Sequence, residues 1–186
     1  MADSNPDHRH RLLEAMARSV AAKGYAAVTI ADLAAEARVS KRSFYEHFSD
    51  KAECFAALYE AASLNSLRVL REALDVQRDW HAQVEQALAA YLGHLAGNPA
   101  LLATLFIDIM ALGPGGLAAR RRSTQRFADF IVAVAGPALG REQAVAIVGG
   151  IHEWVLEAVE AGQIERLPAL AGPGARLVRA VIDGQP

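Results

Sequence analysis

Between Thr29 and Phe48 the chain spells out two short amphipathic helices joined by a turn, and this is the feature that most constrains its fold. Thr29 precedes Ile30, Leu33, Ala34 and Ala37, whose spacing is helical, with Asp32 in the first turn. The Thr29 hydroxyl can accept a hydrogen bond from an orphan backbone N–H, so a helix is expected over residues 30 to 36. Ser40 is the next capping residue, and it opens a helix over residues 41 to 47. Ser43 stands where a Glu would complete a reciprocal capping box, so that box is expected to be incomplete.

The flanking chain supplies a brace. Leu13, Met16, Ala17 and Val20 recur at helical spacing, with Gly24 as a stop, which predicts a helix over residues 7 to 23. Leu33, Ala34, Val39, Phe44 and Phe48 can then form one small core with Leu13, Met16 and Val20. That arrangement leaves Lys41, Arg42, Ser43, Tyr45 and His47 facing outward. Arg42 suits a guanine edge, Lys41 and Lys51 suit phosphates, and Tyr45 can offer its hydroxyl to a phosphate while its ring packs. A helix pair of this kind reads double-stranded DNA by presenting the second helix to the major groove while the first holds it in place.

After Asp50 a long helix is expected from Lys51 to about residue 75. Further helical spacings cover 80 to 96, 99 to 112, 117 to 135, 141 to 161 and 173 to 183. They are separated by Gly97-Asn98-Pro99, Gly113 to Gly116, Gly136-Pro137 and Gly162 through Pro173. No stretch alternates with period two for long enough to make a sheet, so the expected class is all-α.

Composition narrows the function. Of the 186 residues 53% are hydrophobic and 22% charged, which is globular rather than disordered. The formal net charge of −2 does not advertise a nucleic-acid partner, yet Lys23, Lys41 and Lys51 all fall in the first third and Arg38, Lys41, Arg42 and Lys51 cluster around the second short helix. No apolar run reaches the roughly 18 residues a membrane span needs, and no secretory signal opens the chain, so a cytoplasmic protein without a membrane partner is expected. The lone Cys54 lies in an apolar helical run, where a buried, inert thiol is expected.

Catalysis finds little support. His152-Glu153 lacks a second His one turn on, and His8 and His10 sit in a polar start, so no metal site is expected. No phosphate-binding Gly-Lys loop, dinucleotide fingerprint or Ser nucleophile elbow is present, and neither cofactor nor enzyme activity is expected.

The run Tyr45-Glu46-His47-Phe48-Ser49-Asp50-Lys51 adds a further signal. Residues 9 to 55 resemble the N-terminal module of the TetR family of transcriptional repressors, in which Tyr-x-x-His-Phe followed by a capped Lys recurs. The resemblance implies that Thr29, Ser40, Lys41, Ser43, Tyr45, His47 and Lys51 contact DNA, with Arg42 at a position that is often small. It also implies a helix-turn-helix domain over residues 1 to 53 and a helical effector-binding and dimerisation domain over 54 to 186. On that reading a homodimer holds a palindromic operator as a repressor, and a small effector respaces the two reading heads.

Within the second domain, Phe127, Phe130, Ile131 and Val134 form one apolar stripe, and Ala144, Ile147, Val148, Ile151, Val155 and Ala158 another. An intramolecular core explains such stripes equally well; the resemblance favours a dimer interface. Gly149-Gly150 in the second stripe points to a close helix approach. Trp80, Tyr91, His94, Phe106, Met110 and Trp154 are the candidate lining of a pocket for a lipophilic or aromatic effector. The competing reading is a helical small-molecule binding protein without operator recognition.

Overall fold

A computed structural model of the chain describes residues 5–75, 77, 79–136 and 139–184. Among the described residues the secondary structure is helical throughout, with no strand. Four helices come first: α1 (Asn5–Ala27), α2 (Ile30–Glu36), α3 (Lys41–His47) and α4 (Lys51–Glu72). They are followed by α5 (Trp80–Ala96), α6 (Pro99–Leu102), α7 (Pro114–Ala135), α8 (Arg141–Glu160) and α9 (Ala171–Asp183).

Where local chemistry decides a boundary, the boundary falls where the sequence puts it. The bounds of α2, α3 and α5 match the expected ones. Gly24 interrupts α1 with φ 72 and ψ 154, and a last turn continues to Ala27 beyond the expected stop. α4 ends at Glu72 rather than near 75, and α7 begins at Pro114 rather than 117.

The expected helix over 99 to 112 is instead three pieces: α6, a π turn over Ala103–Ile107 and a 3-10 turn over Asp108–Leu112. The reason is burial. Thr104, Leu105 and Phe106 are consecutive and all buried, whereas three successive positions on a straight α-helix sweep about 200° of its circumference. A widened turn accommodates them. The expected break from Gly162 to Pro173 also carries structure, a 3-10 turn over Ile164–Leu170 that anchors the buried Leu167.

The chain divides into two compact units. One holds the chain up to Ala62 together with Ala103–Arg120, and the other holds Ser63–Leu102 with the chain from Arg121 onward. In the first unit Leu12, Leu13, Met16, Val20, Leu33, Ala34, Phe44, Phe48 and Phe55 form the core, with the π and 3-10 turns of 103–112 packed on α1. Val39, expected in that core, is half-buried. Cys54 is buried there, and desolvation pushes its thiol up to about 12, as suits an inert group.

In the second unit α5 packs against α9 and the 164–170 turn. The two apolar stripes offered as a dimer face both lie in this unit. Phe127, Ile147, Val148, Ile151 and Val155 are all buried inside a single chain, which suits the intramolecular core that explains such stripes equally well. Phe130, Ile131 and Val134 are half-buried along an apolar cleft of the same unit.

Candidate nucleic-acid interface

The two short helices owe their positions to reciprocal capping. The Thr29 hydroxyl accepts from the Asp32 N–H at 3.2 Å, and the Asp32 carboxylate accepts from the Thr29 N–H at 2.8 Å and its hydroxyl at 2.7 Å. Lys23 Nζ donates to the same carboxylate at 2.8 Å. The lysine bond above all, then the Thr29 bonds, hold the Asp32 carboxyl down to about 2. Asp at the third position did not announce itself as the second half of a capping box, because Glu and Gln are the usual partners there.

At α3 the Ser40 hydroxyl accepts from the Ser43 N–H at 3.0 Å, and the two hydroxyls lie 3.1 Å apart. Between the helices Arg38 adopts φ 54, a left-handed turn without glycine, which costs roughly 1–2 kcal/mol. Arg11 Nη2 donates to the Arg38 carbonyl at 3.0 Å and helps hold the turn.

The outward face of α3 differs in part from the expected one. Lys41, Arg42 and Tyr45 are exposed, Tyr45 at 57% with its ring edge-on to Phe44. Glu46 is exposed beside them, a member the sequence reading passed over. Ser43 and His47, expected outward, are half-buried: Ser43 is drawn into the Ser40 cap, and the His47 ring lies edge-on to His8. His47 Nε2 is buried and has no hydrogen-bond partner among the described residues.

Lys51 departs most from expectation. Its ammonium donates to the carbonyls of Val28 at 2.8 Å and Tyr25 at 3.0 Å, with Ala26 at 3.4 Å. It also sits 4.3 Å above the Tyr25 ring, which itself stacks on Phe55. The lysine expected to meet a phosphate thus ties the start of α4 to the carbonyl-rich end of α1. At the same junction the Asp50 carboxylate accepts from the Glu53 N–H at 2.7 Å, and Glu53 accepts from the Ser49 N–H and hydroxyl, bonds that lower its carboxyl from the usual range.

The expected effector-lining residues are scattered among several environments. Trp80 lines an apolar cleft of about 60 Å³ with Leu70, Val84, Phe130, Ile147 and Val178. Trp154 lines a different groove, beside Glu157, Arg166 and Pro173. Tyr91 is buried against Phe127, its hydroxyl 3.3 Å from His152 Nε2. His94 Nε2 lies 3.4 Å from Asn65 Nδ2, and burial, then Arg68, lowers its pKa from the ordinary value. Phe106 and Met110 belong to the first compact unit, the former buried and the latter 42% exposed.

The model of the bacterial regulatory proteins of the tetR family matches residues 12–58, the span that holds this interface. A curated HTH-type transcriptional repressor of Streptomyces coelicolor is 30% identical over 135 residues, covering 72% of this chain and 67% of the repressor. The nucleoid occlusion factor SlmA of Marinomonas is 27% identical over 111 residues, and the match covers 60% of this chain and 56% of that protein. The chain thus spans between half and two thirds of these relatives' length. Among solved structures, the transcriptional regulator FadR of Bacillus subtilis in complex with stearoyl-CoA superimposes with a TM-score of 0.76 at 15% identity, over 91% of this chain and 96% of that one. FadR from Bacillus halodurans gives 0.73 at 16% identity over 91% and 93%, and both likenesses are of fold. Among the described residues no single helix is long and apolar enough to cross a membrane, and no group of three or more His, Cys, Asp or Glu side chains gathers as a metal site would require. The capped helix-turn-helix, the match over residues 12–58 and the repressor relative together place this chain in the TetR family of bacterial regulatory proteins.

Proposed function

We propose that the chain is a repressor that binds a palindromic operator as a homodimer and leaves it when a small lipophilic or aromatic effector binds the helices beyond α4. The observation that carries this reading is the outward side of α3, where Lys41, Arg42 and Tyr45 stand exposed on a helix held by the Ser40 cap and the core beneath Phe44. In this reading Arg42 reaches a base edge, and Lys41 and the Tyr45 hydroxyl reach phosphates. Thr29 and the Ser40–Ser43 pair lie at the ends of the two helices nearest the duplex. His47 and Lys51 hold the module together from beneath. Residues 1 to 53 form the reading domain and residues 54 to 186 the effector and dimerisation domain.

A repressor among the relatives supports the sign of regulation. The stearoyl-CoA held by the FadR of similar fold supports a lipophilic effector, and the apolar cleft beside Trp80 offers a lining of that kind. At about 60 Å³ the cleft is well below the usual 300–1,000 Å³ of a ligand site, so an effector there must widen it. The dimer takes its support from α8, whose outward side carries exposed Val145, Ala146 and Gly149. A Cβ on Gly149 would meet nothing within 4 Å, so the close helix approach that the glycine permits is unfilled inside one chain.

The test is selection of bound sites from a random duplex library, with binding followed across a salt series. A two-fold symmetric site with half-sites one turn, about 34–36 Å, apart is expected. Binding that is weak, salt-sensitive and blind to sequence would overturn the operator reading in favour of a small-molecule binding protein.

A further inference from the structure

We propose that Glu46 is a specificity-determining residue of the reading helix: it holds Arg42 by its Nε edge so that the two terminal nitrogens form a fork for one guanine. The inference rests on the DNA-reading role proposed for α3. The outward side of that helix is Lys41, Arg42, Tyr45 and Glu46, all exposed. Three of the four suit a polyanion and the fourth opposes it, because a carboxylate brought against phosphates is repelled.

The geometry gives that carboxylate a task. Arg42 Nε donates to Glu46 Oε1 at 3.3 Å, one helical turn on, while the Arg42 side chain is 91% exposed and that of Glu46 54%. With Nε turned toward the carboxylate, Nη1 and Nη2 are left for a second partner. Guanine presents O6 and N7 side by side in the major groove, the acceptor pair that an arginine fork fits. A guanidinium already fixed in plane loses less rotamer freedom on binding than a free one.

Charge leads to the same division of labour. Glu46 cancels the unit charge that Arg42 would otherwise add to non-specific phosphate attraction. The pair therefore adds little to affinity for arbitrary DNA and more to discrimination between sequences, which is a difference of affinities. An ordinary solvated i, i+4 ion pair has the same distance but is indifferent to base sequence.

The experiment uses the full chain as wild type, Arg42→Ala, Arg42→Lys, Glu46→Gln and the double variant Arg42→Ala/Glu46→Gln. Sites are selected from a random duplex library, and binding to the selected site and to each single-base change is measured over a salt series. Arg42→Ala is expected to erase a guanine preference at one position in each half-site, a loss of about tenfold or more in discrimination. Arg42→Lys keeps the charge and the salt dependence but loses the same preference. Glu46→Gln weakens that preference and no other while tightening binding to unrelated duplex, and the double variant discriminates no worse than Arg42→Ala alone. All four variants should melt as wild type does, since both side chains are exposed.

The proposal is overturned if Glu46→Gln tightens binding to every sequence alike with the Arg42-dependent preference intact, if its effect maps to another base pair, or if Arg42→Ala changes no preference. A wild-type protein that selects no site at all would defeat the operator reading itself, which separates the two failures.

Discussion

The ammonium of Lys51 has three N–H donors, and backbone carbonyls of Tyr25, Ala26 and Val28 lie within reach of them. Removing them takes the lysine bond from the part-buried Val28 carbonyl just after α1, while the Tyr25 carbonyl keeps the Val28 N–H at 3.2 Å. Lys51→Met is therefore expected to destabilise the free protein by about 1–3 kcal/mol in thermal or denaturant unfolding without DNA. Lys41→Ala, on the exposed side of α3, should leave unfolding unchanged and lower the salt slope of DNA binding by about 1. An unchanged melt for Lys51→Met would return that lysine to the phosphate-binding set. Asp32 makes a prediction in pH. Its carboxyl is held at about 2 against an ordinary 3.8, so the stabilisation is complete above the ordinary value and is lost as pH falls through about 2. Wild type should out-melt Asp32→Asn at neutral pH, with the gap narrowing as pH falls below 3.8. A gap that stays constant down to the lowest pH would assign the difference to something other than this carboxylate.

Among the elements, α2 and α3 were fully legible because their limits are set by residues inside their own turns: Thr29 and Ser40 hydroxyls reach backbone N–H groups three positions on. The 99–112 segment was not, because its apolar spacing is helical and only the demand to bury Thr104, Leu105 and Phe106 together opens it into a π turn. The start of α7 shows the same dependence on packing. A Cβ on Gly116 would stand 2.0 Å from the Ile109 carbonyl oxygen, whereas one on Gly115 would meet nothing within 4 Å. Gly116→Ala is expected to cost several kcal/mol, since the obstructing atom is backbone. Gly115→Ala should be neutral or stabilising by up to about 1 kcal/mol. Paired denaturant titrations check both, and equal midpoints for the two variants would refute the close approach.

At the scale of the whole molecule, the α8 stripe lies in the interior of the second unit, with Ile147, Val148 and Val155 all buried, while Phe130, Ile131 and Val134 are half-buried along a cleft. If a second copy seats on the opposite side of α8, Gly149→Leu should convert dimer to monomer in sedimentation while leaving the helix content intact, because the position is open within one chain. A variant that dimerises as tightly as wild type would remove that side of α8 from the proposed interface. Helical class and the Thr29 and Ser40 caps of α2 and α3 were determined by the sequence alone, for they follow from spacing and from hydrogen bonds that span three or four residues. Which way His47 and Lys51 are used, that Glu46 shares the outer face with Arg42, and which apolar stripe becomes core were decided only by the tertiary structure. A periodic pattern says that a face must be covered, but what covers it depends on segments far along the chain: the carbonyls of Tyr25 and Val28 for Lys51, and the other helices of the second unit for α8.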